Sequence, residues 1–134
     1  MAFDASTLAA RLARIASRST CRLTHHGRKS GKPYEVTIWF MVDGETVYLA
    51  SANAGRQWVR NVERDERVAL TVDGERFVGR AARLRDAAAE RRVMDLVAAK
   101  YWYVRPLVTI GRLFGFDPTA DASFRVDLDG AAGA

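Results

Sequence analysis

Two Asp-Gly pairs, Asp43-Gly44 and Asp73-Gly74, sit between runs of strand-forming residues, and they constrain the fold more than any other feature. Such a pair closes a tight hairpin, because glycine and aspartate tolerate the positive φ that two-residue turns require. The first pair joins residues 34–42, rich in β-branched and aromatic side chains, to a return strand at 46–50. The second joins Arg67–Val72 to residues 76–84. Residues 21–24 and 123–128 alternate apolar and polar side chains in the same way. Strands linked by tight turns run antiparallel. Six strands of this kind predict a mainly β fold with added helices, a six-stranded antiparallel barrel.

Helical periodicity brackets these strands. Over residues 4–17, Leu8, Leu12 and Ile15 recur at helical spacing, with Arg11, Arg14 and Arg18 off the stripe and Asp4 or Ser6 available as a cap. Packing against the barrel is the favoured role of that stripe. It also leaves room for weak peripheral contact with a membrane, without stable insertion. Gln57–Arg64 reads as a short helix. Asp86 caps a longer one reaching Tyr101, whose face carries Ala89, Val93, Val97 and Tyr101. Pro106 and Gly115 mark the start and end of another short helix. The expected architecture is one domain over residues 1–134, with an N-terminal helix, covering helices, and disorder at 1–3 and 130–134.

Composition narrows the class. No apolar run approaches the roughly 20 residues of a spanning helix, and the N-terminus lacks a charged-then-apolar leader pattern. Cys21 is the one cysteine, so it forms no intrachain disulfide and reads as a buried thiol. These features predict a cytoplasmic protein. A net charge of +5 favours polyanionic partners, but arginine is spread along the whole chain, with lysine only at 29, 32 and 100. Local placement of charge therefore decides more than its total.

The densest local placement is Gly27-Arg28-Lys29-Ser30-Gly31-Lys32-Pro33, between two strands. Glycines at both ends permit the backbone amides to turn inward, and cations and a hydroxyl stand among them. From chemistry alone, a phosphate cradle and a solvated basic turn fit about equally. It is not a P-loop, because three residues separate the glycines and Pro33 follows Lys32. His25 and His26 are strand neighbours and point to opposite faces, so they do not share a metal, and no metal site is expected. Residues 51–58 leave a strand and enter a helix, where free amides and Arg56 offer either an anion contact or an Asx turn that caps the helix. Tyr101-Trp102-Tyr103 is an aromatic cluster at a helix end, read as core packing for at least one member or as a wall over a planar ligand.

The segment from Leu23 to Pro33 resembles the signature of the deazaflavin (F420)-dependent nitroreductases, also called F420H2-dependent quinone reductases. The similarity continues through Val36-Thr37-Ile38-Trp39-Phe40, Tyr48-Leu49-Ala50-Ser51 and Trp58-Val59-Arg60-Asn61-Val62. It covers roughly residues 20–85, with a looser match to Tyr101. The resemblance implies a split β-barrel related to the flavin-dependent pyridoxamine-phosphate oxidases. It also implies coenzyme F420, a deazaflavin with a phosphate and an oligoglutamate tail, which actinobacteria among others make.

By that resemblance Gly27, Arg28, Lys29, Ser30, Gly31 and Lys32 hold the phosphate and tail, and Thr37, Ile38 and Trp39 lie against the ring. Ser51, Ala52 and Asn53 form a loop near the ring, followed by Arg56, Trp58 and Asn61 on the next helix. The best-known members carry a longer loop before the tryptophan than Asn53-Ala54-Gly55-Arg56-Gln57. Tyr103, Ser51 and Tyr101 are the catalytic candidates, as donors of a proton or a hydrogen bond.

The implied activity is hydride transfer from the reduced deazaflavin to a small electron-poor molecule such as a quinone, an enone or a nitroaromatic. An FMN-dependent oxidoreductase on the same barrel and a non-catalytic carrier module are the alternatives. A nucleic-acid partner is not expected, because Glu63, Asp65, Glu66, Asp86 and Glu90 interrupt the basic residues. A homodimer is compatible with the sequence.

Overall fold

A computed structural model describes residues 7–51, 53–102 and 122–130. In chain order the elements are α1 (Leu8–Ile15), β1 (Cys21–His26), β2 (Pro33–Ile38), β3 (Phe40–Asp43), β4 (Thr46–Ser51), α2 (Gln57–Arg64), β5 (Arg67–Val72), β6 (Glu75–Arg83), α3 (Ala87–Lys100) and β7 (Ala122–Leu128). The strands form one sheet in the order β2-β1-β5-β6-β7-β4-β3, and every pairing is antiparallel. The two edge strands, β2 and β3, are consecutive in the chain with only Trp39 between them. The sheet therefore curls until its ends meet through the covalent chain, which makes a half-barrel with a seam at Trp39.

This seam corrects the expected strand count from six to seven. Residues 34–42 are one continuous strand in the periodicity, but Trp39 breaks the ladder while leaving the in-out alternation intact. Ile38 and Phe40 point into the core. Trp39 points out and stacks on Tyr101, with ring centroids 4.0 Å apart and planes 8° from parallel. A residue turned this way cannot serve partner strands on both sides.

The barrel interior is filled from every strand and plugged by two helices. Leu8, Leu12 and Ile15 of α1 and Trp58, Val59 and Val62 of α2 join Leu23, Leu49, Leu70, Phe124 and Val126 in one cluster. The stripe of α1 is thus spent on packing. Its cap is Thr7, whose hydroxyl accepts the Ala10 amide at 3.1 Å, rather than Asp4 or Ser6. Arg11 and Arg14 tie the outer face of α1 to Glu75. No described helix is long and apolar enough to cross a membrane.

The hairpins differ in one detail. Asp73 and Gly74 have φ of 52° and 78° and form the two-residue loop between Val72 and Glu75, the mirror-image turn expected of Asp-Gly. At the first hairpin Asp43 pairs with Thr46, so the loop shifts by one residue to Gly44-Glu45. At Gly79 an added Cβ would lie 2.3 Å from the Asp127 carbonyl oxygen, so the β6–β7 crossing requires glycine there.

Helix α3 covers the outer face of β3 and β4 in a second apolar cluster of Met41, Val93 and Tyr101, with Tyr48, Ala50, Leu96 and Val97 against it. Asp86 caps it by accepting the Ala89 amide at 3.1 Å, as the sequence predicts. Lys100 closes its far end. The Nζ donates to the Phe40 carbonyl at 2.7 Å and lies 3.7 Å from the centre of the Phe40 ring. Burial lowers the Lys100 pKa to about 8. Burial likewise pushes the Cys21 thiol up to about 12, which makes it an inert core group. The helix expected at 106–115 and the tail at 131–134 lie outside the described residues.

Candidate functional site

The seam opens a hollow of about 380 Å³. Val36, Thr37, Ile38 and Trp39 come from the free edge of β2, Ala50 and Ser51 from the end of β4, Arg56 and Trp58 from the start of α2, and Met94 and Val97 from α3. The size suits a small-molecule site. A second hollow of about 380 Å³ adjoins it and shares Val36, Arg56 and Trp58, adding His25, Tyr34, Glu35 and Gln57. Beyond Tyr34 lies the turn at 27–31, which lines a third, more open hollow with Glu63, Arg64, Asp65, Glu66, Arg67 and Arg80. Tyr34 of the second comes close to Gly27 of the third, its ring lying 3.0 Å from where a Gly27 Cβ would stand. These three hollows, together the groove, are ordered from an aromatic end at the seam to a basic end at the turn.

The turn is locally determined. The Gly27 amide donates to the Lys32 carbonyl at 2.9 Å, and the Gly31 amide donates to the Gly27 carbonyl at 2.8 Å. Gly31 holds φ at 72°, in the left-handed region where a side chain would strain it. The Lys32 amide donates to the Ser30 hydroxyl at 3.2 Å. Among the described residues, the amides of Lys29 and Ser30 are left with no protein acceptor. Two consecutive free amides beside a cation suit an anion.

Charge around the turn is mixed but unequal. Arg28, Lys29, Arg64, Arg67 and Arg80 line the basic hollow against Glu63, Asp65 and Glu66. Asp65 binds Arg67 through both carboxylate oxygens, which holds the Asp65 pKa down at about 2. Glu66 pairs with Arg80, and Glu63 with Arg83. Lys29 and Arg64 have no carboxylate partner among the described residues. The carboxylates are thus engaged and a surplus of positive charge remains.

Several expected site residues occupy different roles. Asn61 is completely buried. Its Oδ1 accepts from the Arg28 amide at 3.2 Å and from Arg28 Nη1 at 2.7 Å, and its Nδ2 meets His25 Nδ1 at 3.1 Å. It anchors the turn from beneath and has no atom to offer a cofactor. Arg28 is correspondingly held toward α2, and Lys32 does not line the basic hollow. Tyr101 is buried in the second cluster. Its hydroxyl donates to the Ser19 carbonyl at 2.7 Å and accepts the Phe40 amide at 3.3 Å, so it is committed to holding α3 on the barrel.

Ser51 lines the seam hollow, but its hydroxyl donates to the Asn53 carbonyl at 2.9 Å and accepts the Asn53 amide at 3.2 Å. Asn53 Oδ1 accepts the Gly55 amide at 2.8 Å in an Asx turn. Helix α2 is then entered through Arg56, whose side chain makes no capping hydrogen bond. Ala52 and Tyr103 lie outside the described residues. The structure adds His25, Tyr34, Met94 and Val97 to the groove, none of which the residue pattern singled out for a site. In the sequence Val97 reads only as a helix-face residue and Met94 carries no expectation, and nothing local says that this part of α3 meets a seam.

A sheet curled on itself, open at one seam and lined there by aromatic and basic side chains, defines a half-barrel with a hollow of small-molecule size along its edge. The chain belongs to the pyridoxamine 5'-phosphate oxidase family, whose sequence profile matches residues 8–126. No curated protein matches significantly.

Solved structures share the fold at low identity. A conserved hypothetical protein of Mycobacterium tuberculosis, Rv2991, has 22% identity and a TM-score of 0.66, covering 90% of this chain and 79% of its own. An F420-H2-dependent reductase, FDR-A, has 18% identity and a TM-score of 0.61, covering 81% of this chain and 94% of its own. A chain described as a domain-swapped dimer has 18% identity and a TM-score of 0.63, covering 81% of this chain and 80% of its own.

Proposed function

We propose that the protein is an F420H2-dependent reductase of small electron-poor molecules such as quinones, enones or nitroaromatics. The observation that carries this reading is the order of the hollows along the groove. An aromatic hollow leads past Tyr34 to a turn with two open amides and surplus positive charge. A planar ring with a long anionic tail fits that polarity along its whole length. The similarity to FDR-A, a reductase of that class, supports the same reading.

Bound there, the reduced deazaflavin supplies the hydride; the protein positions and shields it. The backbone of Thr37 and Ile38 and the Trp39 beyond it would lie along the ring, and Ala50, Met94 and Val97, which line the same hollow, would exclude water from it. Holding donor and acceptor in contact supplies most of the acceleration. Lys29, Ser30 and the turn amides hold the phosphate, and Arg64 and Arg28 extend the contact to the tail. Arg56 and the uncapped start of α2 add a second anion contact. With the hydroxyls of Tyr101 and Ser51 engaged elsewhere, Tyr103 or solvent delivers the proton. The protein works in the cytoplasm as a homodimer, which the domain-swapped relative of the same fold supports.

The second reading is an FMN-dependent oxidoreductase, favoured by membership of a family named for the oxidation of pyridoxamine 5'-phosphate. FMN carries one phosphate, which the two turn amides and Lys29 alone would satisfy. F420 and FMN titrated separately into the purified protein distinguish the two. Preferential F420 binding, and oxidation of F420H2 on adding menadione, are expected. Preference for FMN overturns the F420 reading, and tight F420 binding without turnover points to a carrier.

A further inference from the structure

Three side chains behind the groove form a line in which each atom's role is forced. Arg28 offers the line only donors, its backbone amide and its guanidinium, and both reach the same atom of Asn61. Only the carbonyl oxygen of an amide accepts, so Oδ1 faces Arg28 and the Nδ2 group faces His25. Nδ2 has hydrogens and no lone pair to give, so His25 Nδ1, 3.1 Å away, must be the acceptor. A neutral imidazole with an unprotonated Nδ1 carries its hydrogen on Nε2.

His25 is 4% exposed, and Nε2 has no protein partner among the described residues. Yet Nε2 is not a sealed atom, because it is not among the described side-chain nitrogens and oxygens that are buried without a hydrogen bond. His25 lines the middle hollow together with Tyr34, Glu35, Val36, Arg56, Gln57 and Trp58. Tyr34 stacks on the imidazole, with centroids 5.9 Å apart, and fixes the ring plane.

We propose that His25 is a specificity donor of the groove: Arg28, acting through Asn61, holds the imidazole as the Nε2–H tautomer, which recognises an uncharged hydrogen-bond acceptor, a carbonyl or ring nitrogen, on a planar molecule bound there. Burial, and then the nearby His26, lowers the His25 pKa, which keeps the ring neutral near pH 7. The charged groups Arg56 and Glu35 also line this hollow. A neutral donor has a distinct use between an apolar and a basic end. It rejects a ring that lacks an acceptor at that position, because a buried N–H is then left unpaired.

The identity of the acceptor rests on the reductase reading above; the tautomer does not. Histidine-¹⁵N NMR of the ligand-free protein near pH 7.5 is expected to show an unprotonated Nδ1 and a protonated Nε2 at His25. A protonated Nδ1, or a charged ring, overturns the proposal. F420 and FMN are then titrated separately into wild type, His25→Leu and His25→Gln; glutamine returns an N–H near the place of Nε2.

Whichever cofactor the wild type holds should bind His25→Leu roughly three- to tenfold more weakly and recover to within about twofold in His25→Gln. The same pattern in the KM for menadione, with cofactor affinity unchanged, supports the donor and places the acceptor on the substrate. Three equal proteins in both measurements overturn it. If the wild type holds neither cofactor, the reductase reading fails by itself. Titration with menadione alone then decides the donor, with equal affinities overturning it.

Discussion

The two ends of the groove are held by different physics. The seam end is a by-product of packing: Trp58 is 3% exposed, fills the barrel core and meets Phe124 at 5.5 Å, yet one edge of it lines the hollow. The turn end is held by backbone hydrogen bonds and by Asn61, and its cations Lys29 and Arg64 are exposed. A change at the seam therefore acts on fold and binding together, whereas a change at the turn can act on binding alone. Under the proposed function, the difference separates where a ligand is shaped from where it is attracted.

The sharpest way to break that comparison is Trp58→Ala. Loss of a buried tryptophan should cost about 3–5 kcal/mol of stability, read by urea denaturation, and abolish ring binding with it. Stability retained in that variant would mean the seam end is as independent of the core as the turn. Tyr101→Phe tests the support behind the seam. It leaves the Ser19 carbonyl and the Phe40 amide without the hydroxyl, and should cost about 1–2 kcal/mol with turnover per folded molecule unchanged. A large loss of turnover would return Tyr101 to the chemistry.

At the other end, Lys29→Ala should weaken F420 binding on the order of tenfold and flatten its salt dependence, with stability within about 0.5 kcal/mol of wild type. Affinity that is insensitive to this substitution and to salt would make the turn a structural feature only.

The smallest effect is one of pH. Burial depresses the folded pKa of His25 below its ordinary 6.5, so the unfolded chain binds the extra proton first as pH falls. Stability should be fully present above pH 6.5 and decline as pH falls from there toward the depressed folded value. Asp65 acts lower: its contribution is present above 3.8 and is lost as pH falls toward about 2. His25→Gln should remove the upper phase of the stability profile and leave the acidic one.

The fold was legible wherever local chemistry decides it. Asp73-Gly74 closes its hairpin because both residues accept positive φ, and Asp86 caps α3 because its carboxylate reaches the Ala89 amide three residues on. The boundaries Gln57–Arg64 and Arg67–Val72 are those expected. Trp39 was not legible as a break, because alternation continues through it and only the curl of the sheet demands one. The candidate site divides in the same way. The turn at 27–31 stands out by composition, whereas Asn61, read as a cofactor contact, proves to be a buried brace because His25 and Arg28 converge on it from another element.

By itself, then, the sequence determined the strands, the caps, the turn chemistry and the concentration of positive charge between two glycines. All of these are set by residues within a few positions of one another. Tertiary structure alone decided that β2 and β3 become the two edges of one sheet, that Met94 and Val97 of α3 face that seam, and that Arg28, Asn61 and His25 form one line. Those relations join residues 33 and 36 positions apart, and no local preference encodes them. They follow from closing the curled sheet over a single apolar core, which brings α2 beneath β1 and leaves the groove where the sheet does not seal.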